Sequence, residues 1–308
     1  LNPDYFLGGR MKLDYDAAKT ALARVGKELG MDAIETASGA LQIVEFQMAE
    51  LMRQMTVQRG FDPRDFVVYA YGGAAGAHAV TYTRELGCQT LIVPLGSTAS
   101  CWSALGVQSA DLLHLYEHSE LFIAPFNVDR LNEIFEQLEA KGRAQLKKDG
   151  LAASDMVFER SCEMKFKLQI HTVEVPVPPG RLTPQSLQAL ETAFVDKYER
   201  LHGKGSAFKA AGVEIGILRV VARGRIARPA LHRWPRKKGT GLVGHRPVYW
   251  REQKKHLRTP IYDYTRMGAG ATVEGPAIVQ MPETTVVLRP NSRGRVDPYG
   301  NFVVNVGN

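Results

Sequence analysis

The residues best suited to chemistry in this sequence form the run Gly72-Gly73-Ala74-Ala75-Gly76, which follows the apolar segment from Phe66 to Tyr71. Glycines directly after a strand let backbone amides approach a ligand closely, and the N-terminus of a following helix favours anions. The run lacks the G-x-G-x-x-G spacing of a dinucleotide turn, and no G-x-x-x-x-G-K-S/T occurs. Tight packing of a strand against a helix is the plainer use of such a turn. His78 stands two residues into that helix, where it can hold the turn through backbone hydrogen bonds or face a ligand. A second small-residue turn, Gly96-Ser97-Thr98-Ala99-Ser100, carries hydroxyls able to meet phosphate or ribose, although Ser and Thr equally cap helices. No Ser/His/Asp order and no His/carboxylate cluster with metal-ligand spacing appears, so no catalytic residue and no metal ligand is assigned.

The elements around these turns follow from periodicity. Ala18, Ala21, Leu22, Val25 and Leu29 share one face of a helix that Gly30 stops. A second helix runs from about Asp32 to Gln58, with a stripe of Ile34, Ala37, Leu41, Val44, Met48, Leu51 and Met55 that reads as core. After Asp62-Pro63, residues 66–71 read as a buried strand, and 90–95 as another. Strand, glycine-rich turn, helix, strand is the grammar of an α/β sheet with a site at the strand ends. Further on come an extended run to Ala124, a helix at 127–148, strands within 156–177, a helix at 184–202 and a strand at 213–222. Residues 245–308 are short strands and turns, and Asp297 to Asn301 form a hairpin tip. The division expected is 1–120 as an α/β domain, 121–225 as an α+β middle region, and 226–308 as a basic linker with a small β domain.

Composition narrows the class of function. At 308 residues with 44% hydrophobic and 23% charged side chains, the chain is long enough for two domains and ordinary for a globular enzyme. No apolar run approaches the roughly 20 residues of a membrane helix, so no membrane role is expected. Cys88, Cys101 and Cys162 form neither a zinc pattern nor a disulfide framework, which suits a reduced, cytoplasmic setting. The net charge of +7 has one source: from Arg223 to Arg258, twelve Lys or Arg stand against a single acid, Glu252. Pro229, Pro235, Pro247, Gly239, Gly241 and Gly244 break that stretch, which reads as an exposed linker; no nucleic-acid motif accompanies it.

Three ordered stretches resemble the hydantoinase/oxoprolinase family across nearly the whole chain. The first is Asn2-Pro3-Asp4-Tyr5-Phe6-Leu7-Gly8-Gly9-Arg10. The second runs from Gly60-Phe61-Asp62-Pro63 through Tyr71-Gly72-Gly73-Ala74 to His78 and on to Ser103-Ala104-Leu105-Gly106. The third comprises Pro260-Ile261-Tyr262-Asp263, Gly275-Pro276-Ala277 and Val296-Asp297-Pro298-Tyr299-Gly300-Asn301. The resemblance implies half of an actin/Hsp70-like (ASKHA) nucleotide-binding fold, followed by an α+β region and a small C-terminal β domain. It also implies ATP, with Mg or Mn, in a site shared with a partner chain that carries the first half of the fold and its Asp/Gly phosphate loop. Gly72, Gly73, Ala74, Ala75, Gly76, His78, Ser97 and Thr98 are the implied contacts on this chain.

Within the family, the split subunit of acetophenone carboxylase is the nearest type by this reading, with acetone carboxylase related. The expected role is then a subunit, inactive alone, of an ATP-dependent ketone carboxylase. Its complex would join a small-molecule ketone to bicarbonate with other carboxylase subunits. Part of a hydantoin- or oxoproline-cleaving amide hydrolase, or a non-catalytic assembly subunit, are the alternatives. One departure is local: the family commonly reads Gly-Gly-Ala-Gly-Pro-Leu-His, and the methyl of Ala75 is expected to hinder a nucleotide.

Overall fold

The computed structural model describes residues 2–307, apart from the side chain of Ser97. Carboxylates cap its first two long helices. Asp14 accepts a hydrogen bond from the Ala17 amide at the head of α1 (Tyr15–Leu29), and Gly30, at φ 68°, ends that helix. Asp32 accepts from the amides of Ile34 and Glu35 to start α2 (Ala33–Val57), while its own amide donates to Glu35, a reciprocal capping box.

The apolar stripe expected to be core on α2 is only partly interior. Glu45 and Ala49 are buried and Met48 and Met52 pack on the core, whereas Leu41, Val44, Leu51 and Met55 are exposed. The covered face is turned part-way round the helix from the stripe, so a carboxylate sits deeper than any leucine of α2.

Contacts divide the chain into two units. Unit 1 holds the residues up to Val107 together with those from Ala230, and unit 2 runs Gln108–Pro229. In unit 1, β1 (Val68–Tyr69) pairs in parallel with β2 (Thr90–Val93). From the second segment come β7 (Leu242–Trp250), β8 (Lys255–Asp263), β9 (Thr272–Glu274), β10 (Ala277–Gln280), β11 (Thr285–Leu288), β12 (Arg293–Val296) and β13 (Phe302–Asn305). They build two sheets, ordered β1-β2-β13-β12-β9 and β11-β10-β8-β7.

The strands after residue 226 therefore do not stand apart from the beginning of the chain. Phe302 lies opposite Val93 and Val304 opposite Leu91 in antiparallel register, and all four are buried. The buried strand read at 66–71 is instead a two-residue edge strand, with Val67, Tyr69 and Tyr71 exposed, because it has a sheet neighbour on one side only. The basic stretch is likewise only half linker. Residues 225–241 have no helix or strand of their own, but Arg246, Arg251, Lys255 and Arg258 belong to the β7–β8 hairpin and its turn.

Unit 2 is a single antiparallel sheet with helices against it. β3 (Leu112–Ile123), β4 (Met156–Phe166), β5 (Val173–Val177) and β6 (Val213–Gly224) take the order β3-β6-β4-β5. α5 (Val128–Lys148) packs on β6 and β3, and α6 (Pro184–His202) on β5. Cys162, Met164, Ile215, Leu218 and Val220 alternate inward along the strands, as a one-face-buried sheet requires. Their helix partners include Leu131, Ile134, Phe135 and Phe194, all nearly inaccessible to solvent.

Candidate functional site

The turn after β1 is shaped by two glycines with different tasks. Gly72 adopts φ 90°, a left-handed conformation that side chains disfavour, and its amide donates to the Ala99 carbonyl at 3.0 Å. Gly76 lies in the first turn of α3 (Ala75–Glu85), where a Cβ would come within 2.7 Å of the Thr285 carbonyl oxygen. It lets α3 approach β11 closely. Between them, the Gly73 carbonyl accepts a hydrogen bond from Thr284 Oγ1 at 3.1 Å, which ties the turn to the β10–β11 connection. Ala74 occupies the N-cap position of α3 and offers no side-chain cap, so the first amides of this helix lack that internal partner.

A cavity of about 400 Å³ opens at this turn. Gly73, Ala74, Ala77 and His78 form one wall, and the Tyr5-Phe6-Leu7 segment and residues 280–285 form others. Of the residues picked out by sequence, Gly73, Ala74 and His78 thus line one space, and Gly72 makes the turn that shapes it. Ala75 is not on the wall. It is half-buried and packs against the hydrophobic core. Thr98 is exposed, its hydroxyl donating to the Leu95 carbonyl, and it does not line the cavity. The Ser97 side chain lies outside the described residues. Its neighbour Ser100 does reach the site, donating to the Glu283 carboxylate, whose other oxygen is 3.5 Å from Arg10.

Behind the cavity lies a cluster that periodicity alone does not reveal. Glu45, 1% exposed, receives Arg251 Nη1 at 2.6 Å, Arg289 Nη2 at 3.3 Å and His78 Nδ1 at 3.5 Å. Burial acts to raise the Glu45 pKa, but His78 and the two guanidinium groups outweigh it and hold the carboxyl below its usual value. His78 Nδ1 lies 3.5 Å from Glu45 on α2, longer than a well-formed hydrogen bond, and that buried nitrogen has no hydrogen-bond partner among the described residues. One sequence signal was available: Glu45 is the only acid within the apolar run from Leu41 to Met48. Among the described residues no group of three or more His, Cys, Asp or Glu is placed to hold a metal ion, and no helix is long and apolar enough to cross a membrane.

The cavity combines apolar surface with a few polar and charged groups. Phe6, Leu7, Leu13, Met281 and Pro282 offer apolar surface on the scale of a purine, and Glu283 is an acceptor suited to hydroxyls. Glu283, 3.5 Å from Arg10, and Arg246 put both signs of charge on the same cavity, and the first amides of α3 can meet an anionic or polar group.

Comparison with known proteins agrees with this fold. Residues 1–116 match the hydantoinase/oxoprolinase family, and residues 125–305 match the hydantoinase/oxoprolinase C-terminal domain. The acetophenone carboxylase gamma subunit of Aromatoleum aromaticum is 30% identical, the match covering 97% of this chain and 42% of that protein. The caprolactamase subunit alpha of Pseudomonas jessenii is 27% identical, over 98% of this chain and 44% of that one. The crystal structure of the ATP-dependent caprolactamase superposes with a TM-score of 0.83 at 27% identity, covering 98% of this chain and 44% of that one. Nucleotide-free acetone carboxylase gives 0.77 at 24% identity, over 99% and 44%. The chain thus spans 42% to 44% of the length of these relatives. With its α/β architecture of the actin/Hsp70-like kind and a C-terminal-domain match that covers more than half of it, the chain belongs to the hydantoinase/oxoprolinase family.

Proposed function

We propose that this chain closes the adenosine side of an ATP site in an ATP-dependent, multi-subunit enzyme of the acetophenone carboxylase type. The observation that carries the reading is the uncapped start of α3 beside an apolar cavity of about 400 Å³ at the Gly72–Gly76 turn. Gly73 and Ala74 would pass backbone against the nucleoside, Phe6 and Leu7 would cover the base, and Glu283 would accept from the ribose. His78, beside Glu45, would face the same space.

When bound, ATP supplies the phosphoryl group that activates a carbonyl or enol oxygen of the substrate. The phosphate grip and the Mg or Mn would sit with a partner region carrying the other half of the fold. Exposed apolar groups on α2 and β1, among them Ile43, Leu51, Met55 and Tyr69, support such partnership. In the finer form of the reading, the substrate is a ketone, bicarbonate is the co-substrate and the setting is cytoplasmic. A second reading, ATP-dependent opening of a cyclic amide, is favoured by the likeness to caprolactamase.

The test has two stages. ADP binding to the 308-residue chain, followed by calorimetry, is expected to fall at least about tenfold in Gly73→Val, whose branched side chain would project into the nucleoside space. Unchanged ADP affinity in a folded Gly73→Val protein would remove the nucleotide reading. In the reconstituted complex, ATP hydrolysis stimulated by a ketone plus bicarbonate supports the carboxylase. Stimulation by a lactam or hydantoin instead selects the amide reading, and full turnover by this chain alone overturns the shared site.

A further inference from the structure

A second cavity, of about 370 Å³, opens between α1, the N-terminal half of α2 and the β7 strand. Its apolar wall includes Leu22, Ile34, Ala37, Leu41 and Val248. Its polar wall carries four cations, Lys19, Arg246, Arg251 and Arg289, beside His256, with no acidic side chain among the described lining residues. Two of these cations are accounted for. Arg251 and Arg289 both pair with Glu45, and Arg289 also lies 3.4 Å from Glu252, so two carboxylates answer two guanidiniums.

Lys19 and Arg246 are different. Neither has an ion-pair partner among the described residues, and the Arg246 Nε is buried with no hydrogen-bond partner. Burial pushes the Arg246 pKa down, the direction expected of a guanidinium desolvated without a carboxylate to answer it. Buried polar donors are nearly always satisfied, and an orphan on a cavity wall points to what the cavity holds. A guanidinium and an aliphatic wall lining one cavity suit a ligand with a negative head and an apolar body. The volume fits a ring-sized molecule.

We propose that this cavity binds a small organic anion, a carboxylate or phosphate monoester on an apolar ring or short chain, with Arg246 donating to the anion and Lys19 flanking it. The Gly72–Gly76 turn does not line this cavity, and the proposal does not depend on a nucleotide there. Arg246 borders both cavities, so variants that touch only the second one carry the discrimination.

The experiment is titration calorimetry on the 308-residue chain with benzoate, phenyl phosphate and, as neutral control, benzyl alcohol. Saturable one-to-one binding of at least one anion is expected, with benzyl alcohol far weaker; which anion binds tighter names the head group. Arg246→Met should weaken anion binding by about tenfold to a hundredfold, the value of a hydrogen bond to a charged group. Ala37→Phe, which fills the apolar end, should abolish it while leaving ADP binding unchanged. If Arg246→Met fails to fold, Lys19→Met and Ala37→Phe still decide the matter. No saturable anion binding, equal binding of benzyl alcohol, or anion binding that survives the folded substitutions would overturn the proposal. Absence of ADP binding to the unsubstituted chain, with anion binding present, would count against the nucleotide reading alone.

Discussion

Unit 2 is continuous in sequence, whereas unit 1 is assembled from two segments separated by the whole of unit 2. Their interiors differ accordingly. In unit 2 the strands alternate, two helices lie against the sheet, and Phe166, Phe194 and Tyr198 meet with ring centroids 4.9–5.9 Å apart. Most of its ion pairs lie at the margin, as where Arg219 spans Glu117, Glu163 and Glu174 across the strands, and its buried charges are paired one to one: Arg160 with Glu139 at 2.6 Å and Glu214 with Lys165 at 3.4 Å. Unit 1 also has an apolar core, including Leu91, Val279, Val286 and Phe302, but beside it a carboxylate is buried with two arginines and a histidine. A buried ion cluster is weak evidence for stability, because the desolvation cost rivals the Coulombic gain. What the cluster does achieve is position. It holds Arg251 and Arg289 on one cavity wall and lies beside His78, which lines the other. Apolar packing holds unit 2 together; in unit 1 polar packing also aims side chains.

The largest effects should come from breaking each interior by its own logic. Glu45→Ala leaves two arginines facing a buried void, and is expected to cost about 3–5 kcal/mol. Hydrogen exchange should show lost protection in α2, α3 and β11 while α5 and β6 keep theirs. Phe194→Ala, which removes a fully buried ring, should cost a similar ~3–5 kcal/mol, with the pattern of lost protection reversed. Equal loss in both units from either change would erase the contrast.

Acid should separate the units next. The Glu45 carboxyl is held below its ordinary value, so its stabilising contribution is fully present above the unfolded pKa of about 4.3. It is lost as pH falls through the folded pKa. Glu174 in unit 2 is also held low, by hydrogen bonds from Ser161 and Arg219, but its side chain is half exposed and solvent screens the effect. Exchange measured from neutral pH downward should therefore show unit 1 opening first. The smallest effect expected is that of Arg219→Met, about 1 kcal/mol or less, a gap that added salt should narrow. A much larger loss in urea unfolding would mean that unit 2, too, relies on its charges.

Much of the architecture was legible in residue order. Asp14, Asp32, Asn127 and Thr183 mark helix starts, and each side chain accepts from an amide of the first turn. The alternation at 156–166 and 213–224 marks strands with one face buried. The family motifs marked the cavity, because Tyr5, Phe6, Gly73, Ala74 and His78 converge on it.

Errors arose where burial depends on distant neighbours. The 66–71 run is apolar, yet it lies at a sheet edge. The α2 stripe is periodic, yet the hairpin carrying Arg251 reaches Glu45, beside the stripe.

Sequence alone determined the capped helices, the alternating strands, the glycine turn and the family, because each is written in spacing over a few residues. Tertiary structure alone decided that Phe302 pairs with Val93, that Arg251 and Arg289 converge on Glu45, and that Arg246 stands on a cavity wall without a carboxylate. Those outcomes join positions some two hundred residues apart, and side-chain environment at that range is set by how sheets and helices pack, not by local propensity.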